Sequence, residues 1–320
     1  MLSKLIIFIL LIAQVFAKTI LLTNDDSWAS TYIRAAYRDL KKAGYDVIMV
    51  APVRQQTGNG GSFQVPKSKT LEKDGEFGYV KKGAPSWDHD ADDSNIYYFD
   101  GTTSACVAFA LNYLIPEKFD NVKVDLTISG PNEGPGISSG FFTYSSTTSG
   151  AYFSVYNGIP AISFGGSDLN NTFFKDDLNN DKLLPANIYS SKIVELVDLI
   201  LAKDAAKIPN TVGLNVNFPQ VSTLSDKNCT DPTWMKTRIL GKGVLVPSMS
   251  YNKKTELYEV GYDYLDNKQK DCEDGDCNLP SEYSVFFAKN CTSTVSVFSI
   301  DYDASLSQSN KVHSIIGDLF

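Results

Sequence analysis

Lys18-Thr19-Ile20-Leu21-Leu22-Thr23-Asn24-Asp25-Asp26-Ser27 is the stretch on which the architecture turns. Its first half is continuous, apolar and rich in β-branched residues, the pattern of a strand buried on both faces. Its second half breaks that strand with polar, turn-forming residues. Ile33 to Lys42 then sets Ile33, Ala36, Tyr37 and Leu40 at helical spacing, and Gly44 stands where a C-cap belongs. Asp46 to Ala51 is a second buried strand closed by Pro52. Strand, turn, helix, strand is the opening of an α/β domain with parallel strands.

Outward from this unit the alternation continues. Strands are expected at Asn95 to Phe99, Leu126 to Ser129, Ala161 to Phe164 and Val212 to Val216. Helices are expected at Thr102 to Leu114, Ser145 to Asn157 and Ile188 to Ala202, with loops at Gln55 to Lys67 and Gly130 to Gly140. After Pro219 the pattern changes to short alternating segments with Tyr and Asn clusters and cysteines, which suggests hairpins, one of them including Val295 to Ile300. The expected fold is one α/β domain, a Rossmann-like, mostly parallel sheet flanked by helices over residues 18–219, with a β-rich C-terminal hairpin lobe over 220–320. Its polar loops follow strands and so gather at the carboxyl edge of the sheet, where open α/β sheets bind ligands.

Composition narrows the function. Of 320 residues, 43% are hydrophobic and 21% charged, which excludes a disordered chain and a multi-span membrane protein. A formal charge of −8 argues against a nucleic-acid polymer as partner, since a phosphate-backbone binder needs a basic face. It leaves small anionic substrates open, because a bound metal ion reverses the local field. Residues 1–17 read as a signal peptide: Lys4, an apolar run from Leu5 to Ala13, then Gln14-Val15-Phe16-Ala17 as a cleavage-like site. That run is too short to span a bilayer, and no later run resembles a span or a lipid-anchor signal. The mature chain is therefore expected to be secreted without a membrane anchor, in the medium, cell wall or periplasmic space.

Other features agree with export. Asn170, Asn228 and Asn290 each open an N-x-S/T sequon and are candidate glycosylation sites. Four of the five cysteines, Cys229, Cys272, Cys277 and Cys291, lie late in the chain. They allow three disulfide connectivities, of which we favour Cys272–Cys277 with Cys229–Cys291. A zinc site from the four thiolates competes, but the spacing lacks paired C-x2-C clamps. Cys106, in an apolar stretch, is expected to be buried and reduced.

Three segments could carry chemistry. Asp25-Asp26 follows a buried strand, so at least one carboxylate faces the edge crevice, and two adjacent carboxylates call for a cation or a donor network. Oxygen ligands of this kind suit Mg²⁺, Mn²⁺ or Ca²⁺. The bland alternative is an N-cap with a solvated acid before the helix. The Gly/Pro-rich run Ser129-Gly130-Pro131-Asn132-Glu133-Gly134-Pro135-Gly136 follows another strand and offers the Asn132 side-chain oxygen, or is simply a flexible turn. Tyr144-Ser145-Ser146-Thr147-Thr148-Ser149-Gly150 opens a helix whose hydroxyls and N–H groups suit an anion, or merely cap it. No P-loop, H-E-x-x-H or G-x-S-x-G is present, and His89 and His313 sit in loop and tail contexts, which disfavours a phosphohistidine or a Ser-His-Asp triad. Asp301 and Asp303 end a strand with too few residues after them for an aspartyl-phosphate fold and are expected at the surface. The acidic loops at Asp88 to Asp93 and Asp271 to Asp276 lack the spacing of a calcium loop and are expected to be solvated.

In order, these pieces resemble the SurE family of nucleotidases and phosphatases over roughly Thr19 to Pro219. Thr23-Asn24-Asp25-Asp26 is similar to its N-D-D opening, and Ala51 to Gly58 to its A-P-x-x-x-x-S-G loop. Gly101-Thr102 through Cys106-Val107 is similar to its G-T-P-x-D-C-V segment, and Ser129 to Gly134 to its S-G-x-N-x-G loop. Tyr144 to Thr147, through Gly158-Ile159-Pro160-Ala161, is similar to its Y-S-G-T helix and closing G-x-P-A. The resemblance implies a divalent cation, Mg²⁺ or Mn²⁺, on Asp25, Asp26, Thr57 and Asn132. It implies phosphate contacts from Asn24, Ser146 and Thr147, catalysis through Asp25 and Asp26, and metal-assisted hydrolysis of a small phosphomonoester, such as a nucleoside monophosphate. The secreted form resembles the fungal acid-phosphatase branch. The family's C-terminal arms often dimerise, which leaves a homodimer open.

The sequence departs from that pattern in places. Ser27 stands where Gly usually follows the aspartates, and Thr57 replaces a Ser ligand while keeping the hydroxyl. Thr103 and Ala105 replace Pro and Asp before Cys106, Gly136 replaces a second Asn, and Ser146 replaces Gly in the phosphate turn. These departures motivate a rival reading: a catalytically weak extracellular binding protein that keeps the fold.

Overall fold

The computed structural model describes residues 17–202, 208–209, 211–240, 244–265 and 276–320. The signal-like stretch through Phe16, Cys272 and most of the acidic run Asp271 to Asp276 lie outside the described residues. The first half is built from β1 (Thr19–Thr23), α1 (Thr31–Lys42), β2 (Asp46–Pro52), β3 (Trp87–His89), β4 (Ile96–Phe99), α2 (Thr103–Phe109), α3 (Ile115–Lys118) and β5 (Leu126–Asn132). Then come α4 (Ser138–Tyr144), α5 (Ser146–Tyr156), β6 (Ala161–Gly165), α6 (Phe174–Asp177), α7 (Pro185–Ala202) and β7 (Val212–Asn217). The C-terminal part holds β8 (Thr233–Thr237), β9 (Val244–Asn252), β10 (Leu257–Leu265), α8 (Glu282–Phe287), β11 (Thr292–Ser299), β12 (Tyr302–Asp303) and α9 (Leu306–Ile316).

The main sheet runs β12-β11-β7-β6-β5-β1-β2-β4-β3, with β8 also on β11. β1 pairs in parallel with β2 on one side and β5 on the other, Thr23 standing opposite Ser129. From β1 the chain winds outward through β2 to β4, then crosses back to wind the other way through β5, β6 and β7. The order therefore reverses between β1 and β5, the switch point at which loops diverge and leave a crevice.

The two helical layers follow from side-chain alternation along the strands. Ile20 and Leu22 of β1, with Val47, Met49 and Ala51 of β2, face a core shared with α1 and α7. Leu21, Ile48 and Val50 face the opposite core, with Cys106 and Val107 of α2. All five residues of β1 are buried, as its unbroken apolar pattern predicts. Truncating a side chain such as Leu22 to Ala costs roughly 2–5 kcal/mol at such a site. α1 closes as expected, with Lys41 and Lys42 in its last turn, favourable for the helix dipole, and Gly44 at φ 97° just beyond.

Several local expectations change. The helix expected over Thr102 to Leu114 is α2 followed by a π turn at Ala110–Leu114 and then α3. The glycine-rich loop ends early, because Ser138–Tyr144 winds into α4. In the C-terminal part β8, β11 and β12 join the main sheet, while β9 and β10, among the described residues, pair with each other as an antiparallel hairpin. Asp303, expected at the surface, is instead in a buried ion pair with Arg238, 2.9 Å apart with both side chains 8% exposed. Cys229 and Cys291 form the favoured disulfide, which removes the thiolates that a zinc site would need. Cys277 is disulfide-bonded as well, and Cys106 is buried and free as expected.

Candidate active site

Asp25 and Asp26 occupy the turn after β1, at the switch point. Their burial is close to complete, at 2% and 0% exposed. The turn is wound by Asn24, whose Oδ1 accepts the Asp26 N–H and whose Nδ2 donates to the Pro131 carbonyl at 3.2 Å. That second bond fixes the β1 turn to the β5 turn. The crossing is reinforced by the Glu133 N–H, which donates to Oδ2 of Asp26 at 2.8 Å. Asn171 adds a third tie, donating from Nδ2 to the Asp26 carbonyl at 2.9 Å. Gly130 permits the close approach of the β5 turn: its φ is 114°, and a Cβ there would lie 2.3 Å from the Phe164 carbonyl oxygen.

Electrostatics single out this pair. Burial pushes the Asp25 carboxyl up to about 6, while the Thr147 hydroxyl, donating to Oδ1, partly offsets it. Asp26 is pushed well above the usual carboxylate range, first by burial, then by the charges of Asp25 and Glu133. Glu133 is itself raised, mainly by burial, and Gln55 donates to its Oε1 at 2.8 Å. Three carboxyl groups thus crowd one spot.

The loop after β2 closes over the pair. The Gln56 N–H donates to the Asp25 carbonyl at 2.7 Å. Ser146 holds this loop from the start of α5: its hydroxyl donates to the Gln56 carbonyl at 2.7 Å and accepts the Asn59 N–H at 3.1 Å. Ser145 is the N-cap of α5, its Oγ accepting the Thr148 N–H at 3.1 Å. Gly58 carries φ 78° beneath the Tyr144 ring, whose hydroxyl would lie 2.4 Å from a Cβ at that position.

A cavity of about 610 Å³ opens over these turns and brings Asp25, Thr57 and Asn132 together at its lining, with Ser145 and Glu133 beside them. Asn132 donates from Nδ2 to the Gly134 carbonyl at 2.7 Å, and its buried Oδ1 has no hydrogen-bond partner among the described residues. The expected ligand set fits a hard cation on these grounds: Asp25, Thr57 and the orphaned Asn132 amide oxygen share one cavity, and Asp26, buried beside Asp25 but outside that lining, adds a second carboxylate. Among the described residues no group of three or more His, Cys, Asp and Glu is arranged to hold a metal, so a cation here would rely on neutral oxygens for the rest of its shell.

The structure redistributes the expected phosphate ligands. The Asn24 amide and the Ser146 hydroxyl are both occupied in building the turns, and the Thr147 hydroxyl is on Asp25. What α5 offers an anion is the positive end of its dipole, since the Thr147 N–H is on Asp25 and the Thr148 N–H is on the Ser145 Oγ. Gln55, Glu133 and Asn171 are additions that sequence reading missed. Gln55 and Glu133 lie inside quoted motifs, but nothing in the spacing marks their mutual contact. Of the glycosylation candidates, Asn170, Asn228 and Asn290 are all exposed.

The departure at Ser27 has a backbone signature. Its φ is 114°, a conformation that favours glycine, and its Oγ accepts the Ala29 N–H at 3.2 Å.

Comparison with known proteins places these features in context. The family model described as Survival protein SurE matches residues 20–239. An acid phosphatase of Yarrowia lipolytica is 42% identical over 290 residues, covering 89% of this chain and 80% of its own. The 5'-nucleotidase SurE of Aquifex aeolicus is 31% identical over 204 residues, covering 63% of this chain and 66% of its own. The crystal structure of the SurE protein from Aquifex aeolicus superposes with a TM-score of 0.57 at 22% identity, covering 94% of this chain and all of that one, a likeness of fold.

Proposed function

Because the chain belongs to the SurE family of phosphoric monoester hydrolases, we propose that it is a secreted, divalent-metal-dependent phosphomonoesterase acting on nucleoside monophosphates or related small esters. One observation carries the metal requirement: Asp25 and Asp26 are buried side by side, next to the Oδ1 of Asn132, which is buried and accepts no hydrogen bond among the described residues. Asp25, Asp26, Thr57 and Asn132 would hold Mg²⁺ or Mn²⁺, which when bound neutralises phosphoryl charge and lowers the pKa of water.

The chain's own residues supply the rest. The positive end of the α5 dipole, at Ser146, faces charge developing on the phosphoryl oxygens, while the Thr147 N–H and hydroxyl both serve Asp25. Asp25 orients the attacking water and takes its proton, and the Thr147 hydroxyl fixes the Asp25 rotamer for that task. Glu133 and Gln55 position Asp26. Export is supported by the Cys229–Cys291 disulfide, since such bonds persist in oxidising compartments. No described helix is long and apolar enough to cross a membrane. The β9–β10 hairpin exposes Met249, Tyr258 and Val260 by 72–74%, which supports self-association as a homodimer.

The test is phosphate release from a nucleoside monophosphate and an aryl phosphate by protein secreted from an expression host, with Mg²⁺ or Mn²⁺ and with EDTA. Release that EDTA abolishes and metal restores is expected. Folded protein that releases no phosphate under any condition would favour the binding-protein rival.

A further inference from the structure

The cavity over Asp25 has a second half that the chemistry above does not use. Away from the polar floor its wall carries apolar side chains from separate parts of the chain, Pro135, Tyr144, Leu169, Pro219, Phe286 and Phe287, alongside the charged Asp226, Lys227 and Lys289. Three of these side chains stay open to water, Leu169 at 74%, Phe287 at 44% and Tyr144 at 41%. Leu169 also adopts φ 59°, a strained conformation for leucine, and is held there by its N–H on the Glu133 carbonyl at 3.1 Å. The preceding Asp168 is fastened by the Tyr32 hydroxyl. Strain and exposed apolar surface together at a cavity mouth point to use.

Phe286 and Phe287 end α8, which lies beyond the last residue matched by the family model. This wall is firmly rooted. At the start of α8 the Glu282 carboxyl is buried, accepting the Ser138 N–H at 2.7 Å and bonds from Asn215 and Ser296. Asn215 in turn donates to the Gly136 carbonyl at 2.8 Å, in the turn that follows β5. Past the end of α8 the Cys229–Cys291 disulfide closes the far side, and Lys227 donates to Oδ1 of Asn290 at 2.7 Å. One end of the helix is therefore tied to the catalytic loops while the other presents rings to the cavity.

Resting on the active-site reading above, we propose that Phe287 and Phe286, with Leu169, form a leaving-group subsite that selects phosphomonoesters whose alcohol is a planar aromatic or base-bearing group. The cavity volume of about 610 Å³ lies within the range of roughly 300–1,000 Å³ that holds molecules of that size. The residues act on specificity, through contact with the part of the substrate remote from the phosphorus.

The experiment compares kcat/KM for phenyl phosphate and for glycerol phosphate in the wild type, Phe287→Ala and Leu169→Ala, all as full-length secreted protein with metal. In parallel it measures calorimetric binding of phenylphosphonate and methylphosphonate. The wild type should prefer the aromatic ester at least about tenfold, and either substitution should cut that ratio about fivefold, chiefly through KM. An unchanged ratio, or equal losses on both esters, would overturn the proposal. If neither ester is hydrolysed, the hydrolytic reading fails, and the phosphonates decide the subsite alone. Tighter binding of phenylphosphonate that Phe287→Ala erases would uphold it, and equal binding of the two would refute it.

Discussion

The backbone N–H of Glu133 donates to Oδ2 of Asp26 at 2.8 Å, which locks the turn after β5 onto the turn after β1. These are the two strands between which the sheet order reverses. The bond is the point at which fold becomes site: parallel pairing of β1 and β5 sets Thr23 beside Ser129, and the turns that follow converge. Asp26 is held by main chain, so its position depends little on side-chain freedom.

Thr147→Val tests how Asp25 is tuned. The hydroxyl that donates to Oδ1 stabilises the ionised carboxylate, so its loss leaves burial less opposed and raises the Asp25 pKa further. The acidic limb of the kcat/KM profile should move to higher pH, with activity at pH 5 falling about tenfold or more. Thr147→Ser should restore the limb. A profile of unchanged shape would show that the bond only fills space.

Glu282 makes stability depend on pH. Burial raises its carboxyl from 4.5 to about 7, so between those values the folded protein holds a proton that the unfolded chain has released. Stability from this group is full below pH 4.5 and is lost as pH rises through 7, by roughly 3 kcal/mol in total. Glu282→Gln carries no titration, so urea unfolding should find it equal to the wild type near pH 4.5 and more stable by about 2–3 kcal/mol at pH 8. Parallel curves for the two proteins would contradict this.

Ser27 separates backbone strain from side-chain bonding. Ser27→Ala loses the Oγ bond to the Ala29 N–H and keeps φ at 114°, so it should destabilise by about 1 kcal/mol. Ser27→Gly loses the same bond but removes the strain, which offsets about 1 kcal/mol, and should stay within about 0.5 kcal/mol of the wild type. Equal destabilisation by the two variants would mean that the φ value carries no cost.

The parts of this account legible in sequence are those encoded locally. The unbroken apolar run of β1 announced a strand buried on both faces, and the polar residues after each strand announced the crevice. Motif spacing found Asp25, Thr57 and Asn132, which line one cavity. Partners distant in sequence stayed hidden. Asp303 reads as a solvated strand end until Arg238, 65 positions away, is folded against it. Glu282 looks like any helix-start acid, although it serves Ser138, which is 144 positions away. The candidate phosphate ligands Asn24 and Ser146 have the right chemistry, yet the backbone uses their side chains first, because buried N–H and C=O groups in the turns need partners.

The most direct measurement is titration of Mn²⁺ into metal-stripped wild type and Asp26→Asn, with phosphate release from a nucleoside monophosphate followed in the same samples. Asp26→Asn removes a buried charge that the fold disfavours without metal, so the variant should fold normally, which circular dichroism checks. The account predicts release that rises with bound Mn²⁺ in the wild type, with both metal affinity and release reduced at least about a hundredfold in the variant. Undiminished release by Asp26→Asn, or wild-type release that persists without metal, would contradict it.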